Sequence, residues 1–205
     1  LIAGTGPSGL ASAYAAAKNG AKVILAEDKS RYGGSLLTSE VTIGNQSGQD
    51  WAEQIISELK SMPNVIVKNR SQVFGYYDHN MLVMSERVSD HLPKTDKYTP
   101  KQRLWYIRAK EVVISSGSIE RPLVFGNNDT PGVMLSSAAK EYLKVYGVLV
   151  GKKPIIFTNN DSGYETAIEF KKNGLDPIVL DLSLIHISEP RSLLSIAVCV
   201  WWVEK

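Results

Sequence analysis

Cysteine is almost absent from this chain: among 205 residues only Cys199 carries a thiol. No internal disulfide framework can form, and no Cys-x-x-Cys or Cys-x₄-Cys pair exists to pass electrons onward. That excludes dithiol–disulfide reductase chemistry and leaves the cytoplasm as the default compartment. An excess of one charge is also missing. Lys plus Arg number 23 against 21 Asp plus Glu, a net charge of +2, which gives no argument for nucleic acid or an anionic membrane as partner. No apolar run approaches the roughly 20 residues of a membrane helix, and no charged segment leads into an apolar stretch as in a signal peptide. What is present is ordinary for a globular protein: 43% hydrophobic and 21% charged residues, enough to bury a core.

Both ends of the chain look interrupted. Leu1-Ile2-Ala3 reads as the end of an apolar strand that lacks about two or three residues, so the start is read as a truncation. Beyond Leu182 the alternation of strands and amphipathic helices stops. Residues 183–205 hold the only Cys and two of the four Trp and follow neither a helical nor a strand period. Ser183 to Pro190 (S-L-I-H-I-S-E-P) resembles the translation of a sequencing-adapter read-through. The alternative is a real strand followed by an apolar helix or edge strand. Residues 183–205 are set aside here as a non-native tail.

Gly4-Thr5-Gly6-Pro7-Ser8-Gly9 is G-x-G-x-x-G. It follows an apolar strand end and opens an Ala-rich helix whose Leu10, Ala13, Tyr14 and Ala17 share one face. Asn19-Gly20 stops that helix. Lys22 to Ala26 then reads as a second strand delivering Glu27, 18 residues beyond Gly9, where a ribose-binding acid belongs. Gly4 allows the tight turn, Gly6 lets backbone approach a pyrophosphate, and Gly9 permits close helix–strand packing. The first-turn N–H groups after Pro7 and Ser8 face the phosphates. Glu27, with Asp28 beside it, accepts the adenosine ribose hydroxyls and repels a 2′-phosphate, which disfavours NADP. Glycines and acid together do not choose between FAD and NAD, since both carry an adenosine ribose and a pyrophosphate.

Glu27 followed by Arg31-Tyr32-Gly33-Gly34-Ser35 resembles the E-x₅-G-G extension of two-dinucleotide-binding-domain flavoproteins. Gly33, Gly34 and Ser35 then approach the pyrophosphate from a second side, and Arg31 adds charge. Residues Glu111 to Gly117 read as a strand ending in a small-small-Gly turn that resembles the A-T-G motif closing such folds on the dinucleotide. This makes Ser116 and Gly117 further cofactor-binding candidates. Between these motifs, Asp50 to Lys60 reads as a helix, Val65 to Val67 as a strand, and Val73 to Tyr77 with Met81 to Met84 as a hairpin. His79 sits in its turn and is read as non-catalytic. Residues 89–103 read as a polar loop, Trp105 to Arg108 as a strand and Leu135 to Tyr146 as a helix.

Pro154 to Phe157, Glu165 to Lys172 and Pro177 to Asp181 make a second βαβ. Its turn, Thr158-Asn159-Asn160-Asp161-Ser162-Gly163, keeps one glycine where a phosphate loop wants three, and Asp161 would repel phosphate. This unit is Rossmann-like in shape but poor at binding a dinucleotide, with Asp161 or Ser162 capping its helix. The fold class is therefore α/β, a Rossmann-like FAD/NAD(P)-binding fold of the two-dinucleotide-domain type, incomplete. Residues 1–125 form the first dinucleotide-binding domain and residues 126–182 a partial second. A chain ending there is expected to leave apolar sheet edges exposed.

Phe74 to Asn80, Arg103-Leu104-Trp105, Ile119 to Phe125, Asn128 to Met134 and Thr158 to Ser162 together resemble the α subunits of heterotetrameric sarcosine oxidases, over residues 1–182. The resemblance implies a bacterial enzyme that demethylates sarcosine to glycine with O₂ and passes the one-carbon unit to tetrahydrofolate. It implies NAD held by this chain, and FAD on a β subunit. It further implies FMN at the α–β interface, γ and δ subunits as further partners, and a folate domain in the C-terminal half of α. No catalytic residue and no metal ligand are assigned to this stretch, which alone would be inactive. Two alternatives remain: a related amine or opine dehydrogenase subunit with FAD at the first site, or a non-catalytic scaffold holding a nucleotide.

Overall fold

Strand β1 (Ile2–Ala3) ends in a glycine turn, helix α1 (Pro7–Lys18) follows, and strand β2 (Val23–Ala26) returns parallel to β1. Ile2 stands opposite Leu25 and Ala3 opposite Ala26. The computed structural model describes residues 1–182 and 198–202, and the chain divides into two units, Leu1–Gly117 and Ser118–Lys205.

In the first unit β2 leads through a 3₁₀ turn (Gly34–Leu37) and a short hairpin, β3 (Thr42–Ile43) and β4 (Gln46–Ser47), into α2 (Gly48–Ser61) and β5 (Val65–Lys68). A three-stranded antiparallel meander comes next: β6 (Ser71–Tyr77), β7 (Met81–Arg87) and β8 (Gln102–Arg108). The chain then re-enters the first sheet as β9 (Val113–Ile114), parallel to β1. The strand order β5-β2-β1-β9 puts β1 at the point where the chain's winding reverses. In open α/β sheets the ligand crevice lies there, beyond the carboxyl ends of the strands.

Strand β2, in the interior of this sheet, is covered on both faces, which explains why Val23-Ile24-Leu25-Ala26 shows no polar alternation. Ile2, Val23 and Leu25 meet Leu10, Ala13 and Ala17 of α1 and Ile55, Ile56 and Leu59 of α2. Ala26 turns the other way, onto Met84 and Ile107 of the meander, with Ile24, Val73 and Trp105 packed around them. Leu10, Leu25 and Leu59 are fully enclosed, each contributing about 1.5–3 kcal/mol of burial free energy. Tyr14 is only partly buried: it packs on this core while its hydroxyl donates to Glu58 Oε2 at 2.7 Å.

The hairpin between β6 and β7 turns at His79 and Asn80, both left-handed at φ 59° and 52°, a conformation Asn and His tolerate better than most residues. Asn80 is tied in place, its Nδ2 donating to the Lys110 carbonyl at 2.9 Å, and His79 is exposed at the tip. Two expectations need correction. The strand expected to lead from Glu111 into the Ser115–Gly117 turn is only Val113–Ile114, because β1 offers a ladder of just two residues. The loop expected through residue 103 ends earlier, since Gln102 and Arg103 already pair with Arg87 and Glu86.

The second unit carries β10 (Met134–Leu135), α3 (Ser136–Tyr146), β11 (Pro154–Thr158), α4 (Asp161–Lys172), β12 (Ile178–Asp181) and β13 (Val198–Trp202). Its sheet order is β10-β13-β11-β12. β11 and β12 are parallel, joined through α4 as expected, and β13 inserts antiparallel between β10 and β11. Ala139, Ile156, Ala167 and Phe170 form the core. Residues 118–125 go with this unit rather than the first: Glu120 caps α3, and Phe125 meets Phe157 edge-on at 5.6 Å. Of the segment set aside as a tail, Val198–Trp202 forms β13, and residues 183–197 and 203–205 lie outside the described residues.

Candidate dinucleotide-binding site

The glycine turn between β1 and α1 is shaped by contacts that leave no room for side chains at two of its three glycines. Gly4 has φ +101°, and a Cβ there would collide with the Ser115 carbonyl. At Gly9 it would collide with the Gly4 carbonyl. Gly6 is different: nothing lies within 4 Å of where its Cβ would stand. The chain is thus packed tightly behind the turn and open in front of it, as a backbone that receives a pyrophosphate requires.

The start of α1 points into that open side. Gly6 is its N-cap, Pro7 fills the first position, where a missing N–H costs nothing, and no acidic residue stands in the first turn. No side chain caps it. The other three helices among the described residues are each supplied with an acceptor. Ser47 Oγ takes the Asp50 N–H at 3.1 Å, Glu120 Oε2 takes the Ser137 N–H at 2.9 Å, and Asn160 Oδ1 takes the Ser162 N–H at 3.0 Å. Of the four, α1 alone keeps its N-terminal donors and the positive end of its dipole for something else. Ser8 is exposed there.

Glu27 follows β2 and is buried. Its carboxylate turns toward the glycine turn: Oε2 accepts the Thr5 N–H at 2.9 Å and the Thr5 hydroxyl, and Oε1 accepts the Lys29 N–H at 3.0 Å. Thr5 itself is fully enclosed, and its Oγ1 accepts the Gly33 N–H at 3.3 Å. One threonine therefore joins the glycine turn, the acid and the second glycine pair. Gly33 and Gly34 take φ +121° and +55°, and a Cβ on Gly34 would stand 2.9 Å from Gly6 Cα. The E-x₅-G-G extension is thus folded directly onto the first glycine loop.

The remaining candidates are less closely gathered. The Ser115–Gly117 turn reaches the site through Ser115, whose backbone backs Gly4 and whose Cβ approaches Gly9, and through the Ser116 N–H beside Gly4. Gly117 has φ +75° and open space where a Cβ would stand, and Asp28 and Ser35 are exposed. Arg31 lines an open cleft of about 360 Å³ against α2, with Tyr32, Leu37, Glu53, Ile56, Ser57 and Lys60. Beside it, burial and then the Glu27 charge push the Tyr32 phenol above its ordinary range. Sequence reasoning missed Thr5 and Ser115. Thr5 occupies an x position of the glycine motif, which no spacing rule marks, and Ser115 opens the small-small-Gly turn, where only the two residues after it were singled out.

The corresponding turn of the second unit is closed by its own side chains. Thr158 stands where the first glycine would be; its hydroxyl donates to the Asn160 carbonyl at 2.8 Å. Asn160 stands at the second glycine position and caps α4, which corrects the expectation that Asp161 or Ser162 does so; Ser162 instead donates to Asn160 Oδ1. Only the third glycine keeps its packing role, since a Cβ on Gly163 would meet Thr158 at 2.6 Å.

The FAD dependent oxidoreductase family matches residues 1–87. Sarcosine oxidase alpha subunits are homologues of this chain. That of Rhizobium meliloti is 45% identical over 180 residues, covering 88% of this chain and 18% of the relative. That of Corynebacterium sp. (strain P-1) is 37% identical over 183 residues, covering 88% and 19%. An opine oxidase subunit of Agrobacterium tumefaciens is 27% identical over 170 residues, covering 77% and 32%. The chain thus spans roughly a fifth of the length of the sarcosine oxidase subunits it matches. Among solved structures, L-proline dehydrogenase from P. horikoshii superposes with a TM-score of 0.70 at 23% identity, covering 88% of this chain and 34% of that one. Lactococcus lactis thioredoxin reductase gives 0.56 at 17%, covering 88% and 55%. These likenesses establish the Rossmann-type α/β fold. Among the described residues no helix is long and apolar enough to cross a membrane.

Proposed function

We propose that residues 1–117 hold a dinucleotide by its ADP half, as part of a sarcosine-oxidase-like subunit in a cytoplasmic amine-oxidising flavoprotein complex. The observation that carries this reading is the joint at Thr5, which gathers Gly4–Gly9, Glu27 and Gly33–Gly34 around one uncapped helix start. Pyrophosphate lies over Gly6 and Gly34 at the N-terminus of α1, and Glu27 receives the adenosine ribose. The resemblance to sarcosine oxidase α subunits supports NAD as the dinucleotide. It also supports partnership with β, γ and δ subunits, with FMN and tetrahydrofolate bound outside this stretch, and demethylation of sarcosine with O₂.

A second reading has its own support. The family matched by residues 1–87 is FAD dependent, so FAD at this same site, in an amine or opine oxidising subunit, fits the match more directly than NAD. When bound, either dinucleotide supplies two-electron redox chemistry. The residues of this chain bind and orient it, and none is assigned to the reacting substrate.

Titration of the full chain with NAD⁺, NADP⁺ and FAD, with a visible spectrum, tests both readings. A colourless protein that binds NAD⁺ and prefers it to NADP⁺ supports the first. A yellow protein that retains FAD moves the site to the second. In either case Glu27→Ala is expected to weaken binding by about tenfold or more, the loss of a charge-assisted hydrogen bond. Unchanged affinity in that variant would remove the acid from the site.

A further inference from the structure

Glu27 has two oxygens, and the structure treats them unequally. A carboxylate offers about four acceptor positions, and a hydroxyl offers one donor and two acceptors. The Gly33 N–H, 3.3 Å from Thr5 Oγ1, uses the threonine as acceptor, so its single proton goes to Glu27 Oε2. The Thr5 N–H goes to the same oxygen at 2.9 Å. Oε2 therefore holds two donors from one residue. Among the described residues Oε1 holds only the Lys29 N–H at 3.0 Å, which leaves one acceptor position on Oε1.

A ribose presents two neighbouring hydroxyls to such an acid. We infer that Thr5 saturates Oε2 and restricts Glu27 to reading a single ribose hydroxyl, through Oε1. Thr5 is then a positioning residue: it does not touch the nucleotide, yet it decides how many hydroxyls are read. This inference rests on the proposed ADP site and deepens it. It does not depend on which dinucleotide is bound, because NAD and FAD share that ribose. The enclosure of Thr5 keeps water from competing for its hydroxyl, so the arrangement persists in solution.

The probes are ADP, 2′-deoxy-ADP and 3′-deoxy-ADP, titrated into the full chain stripped of resident nucleotide. One deoxy analogue is expected to bind about tenfold more weakly than ADP, and the other within about twofold of it, since only one hydroxyl has a partner. Equal losses for both analogues, or none for either, overturn the assignment to Thr5 while leaving the ADP site standing. Failure of ADP itself to bind overturns the site and the inference together. Thr5→Val keeps the shape and removes the proton donor, freeing a position on Oε2. In that variant the two analogues should converge, whereas Thr5→Ser restores the difference. A difference unchanged in Thr5→Val also overturns the inference. Loss of folding alone would weaken all three nucleotides in step and could not imitate a change in their ratio.

Discussion

At Gly34 the backbone holds φ +55° with Gly6 Cα in the path of any Cβ, 2.9 Å away. The Thr5–Gly33 hydrogen bond ties the two loops together beside that contact. Gly34→Ala is therefore expected to reduce nucleotide affinity by about tenfold or more, with a stability loss of about 1–3 kcal/mol, read by calorimetric titration and by denaturant unfolding. Affinity within twofold of the parent would show that the second glycine pair does not shape the site. The sequence marked Gly33, Gly34 and Glu27 through spacing, because each has a conformational or charge requirement that few residues meet. Thr5 meets a requirement of geometry, a hydroxyl between two loops, and no local pattern announces it. Arg31, marked by its position in the motif, lines the cleft against α2.

Among the elements, the three-stranded meander backs the parallel sheet of the first unit through Met84 and Ile107, and a charged cluster closes its end. Glu86 accepts Lys68 Nζ at 2.9 Å, Trp105 Nε1 at 2.7 Å and Arg103 Nη1 at 3.2 Å. Burial acts to raise its carboxyl, but the hydrogen bonds from Lys68 and Trp105, with the Lys68 and Arg103 charges, outweigh it and hold Glu86 below its ordinary range. A depressed native value stabilises the fold above the ordinary carboxylate value of 4.5, and that stabilisation is lost as pH falls through the native value. Glu86→Gln should therefore cost about 1–3 kcal/mol near neutrality, and less as the solution is acidified below the ordinary value. Denaturation midpoints measured across that range check it. A cost independent of pH would mean that charge contributes nothing there. The sequence suggested the hairpin through its turn residues, but pairing of β7 with β8 across the polar stretch 88–101 was not legible. The partners are set by register, not by anything local.

For the whole molecule, the two units carry the same βαβ design with opposite outcomes at the turn. In the first, no side chain takes the N-terminal donors of α1. In the second, Asn160 and Thr158 use the corresponding groups internally. Hydrogen exchange with and without saturating dinucleotide should thus show new protection at Gly4–Leu10, Glu27–Gly34 and Ser115–Gly117, and none at Thr158–Gly163. At 100 times Kd the ligand should add about 2.7 kcal/mol to stability. Protection at the second turn would reverse its reading as a closed loop. Composition and periodicity alone determined the parallel α/β architecture, because a buried strand must be apolar and a covering helix amphipathic. Glycine spacing likewise marked the first turn as the proposed nucleotide site and the second as a poor one, since positive φ and close backbone approach admit little else. Only the tertiary structure decided which atoms meet across the site. The Thr5–Glu27–Gly33 joint links residues from three separate turns, and their relation depends on how the strands stack, a property that no single segment encodes.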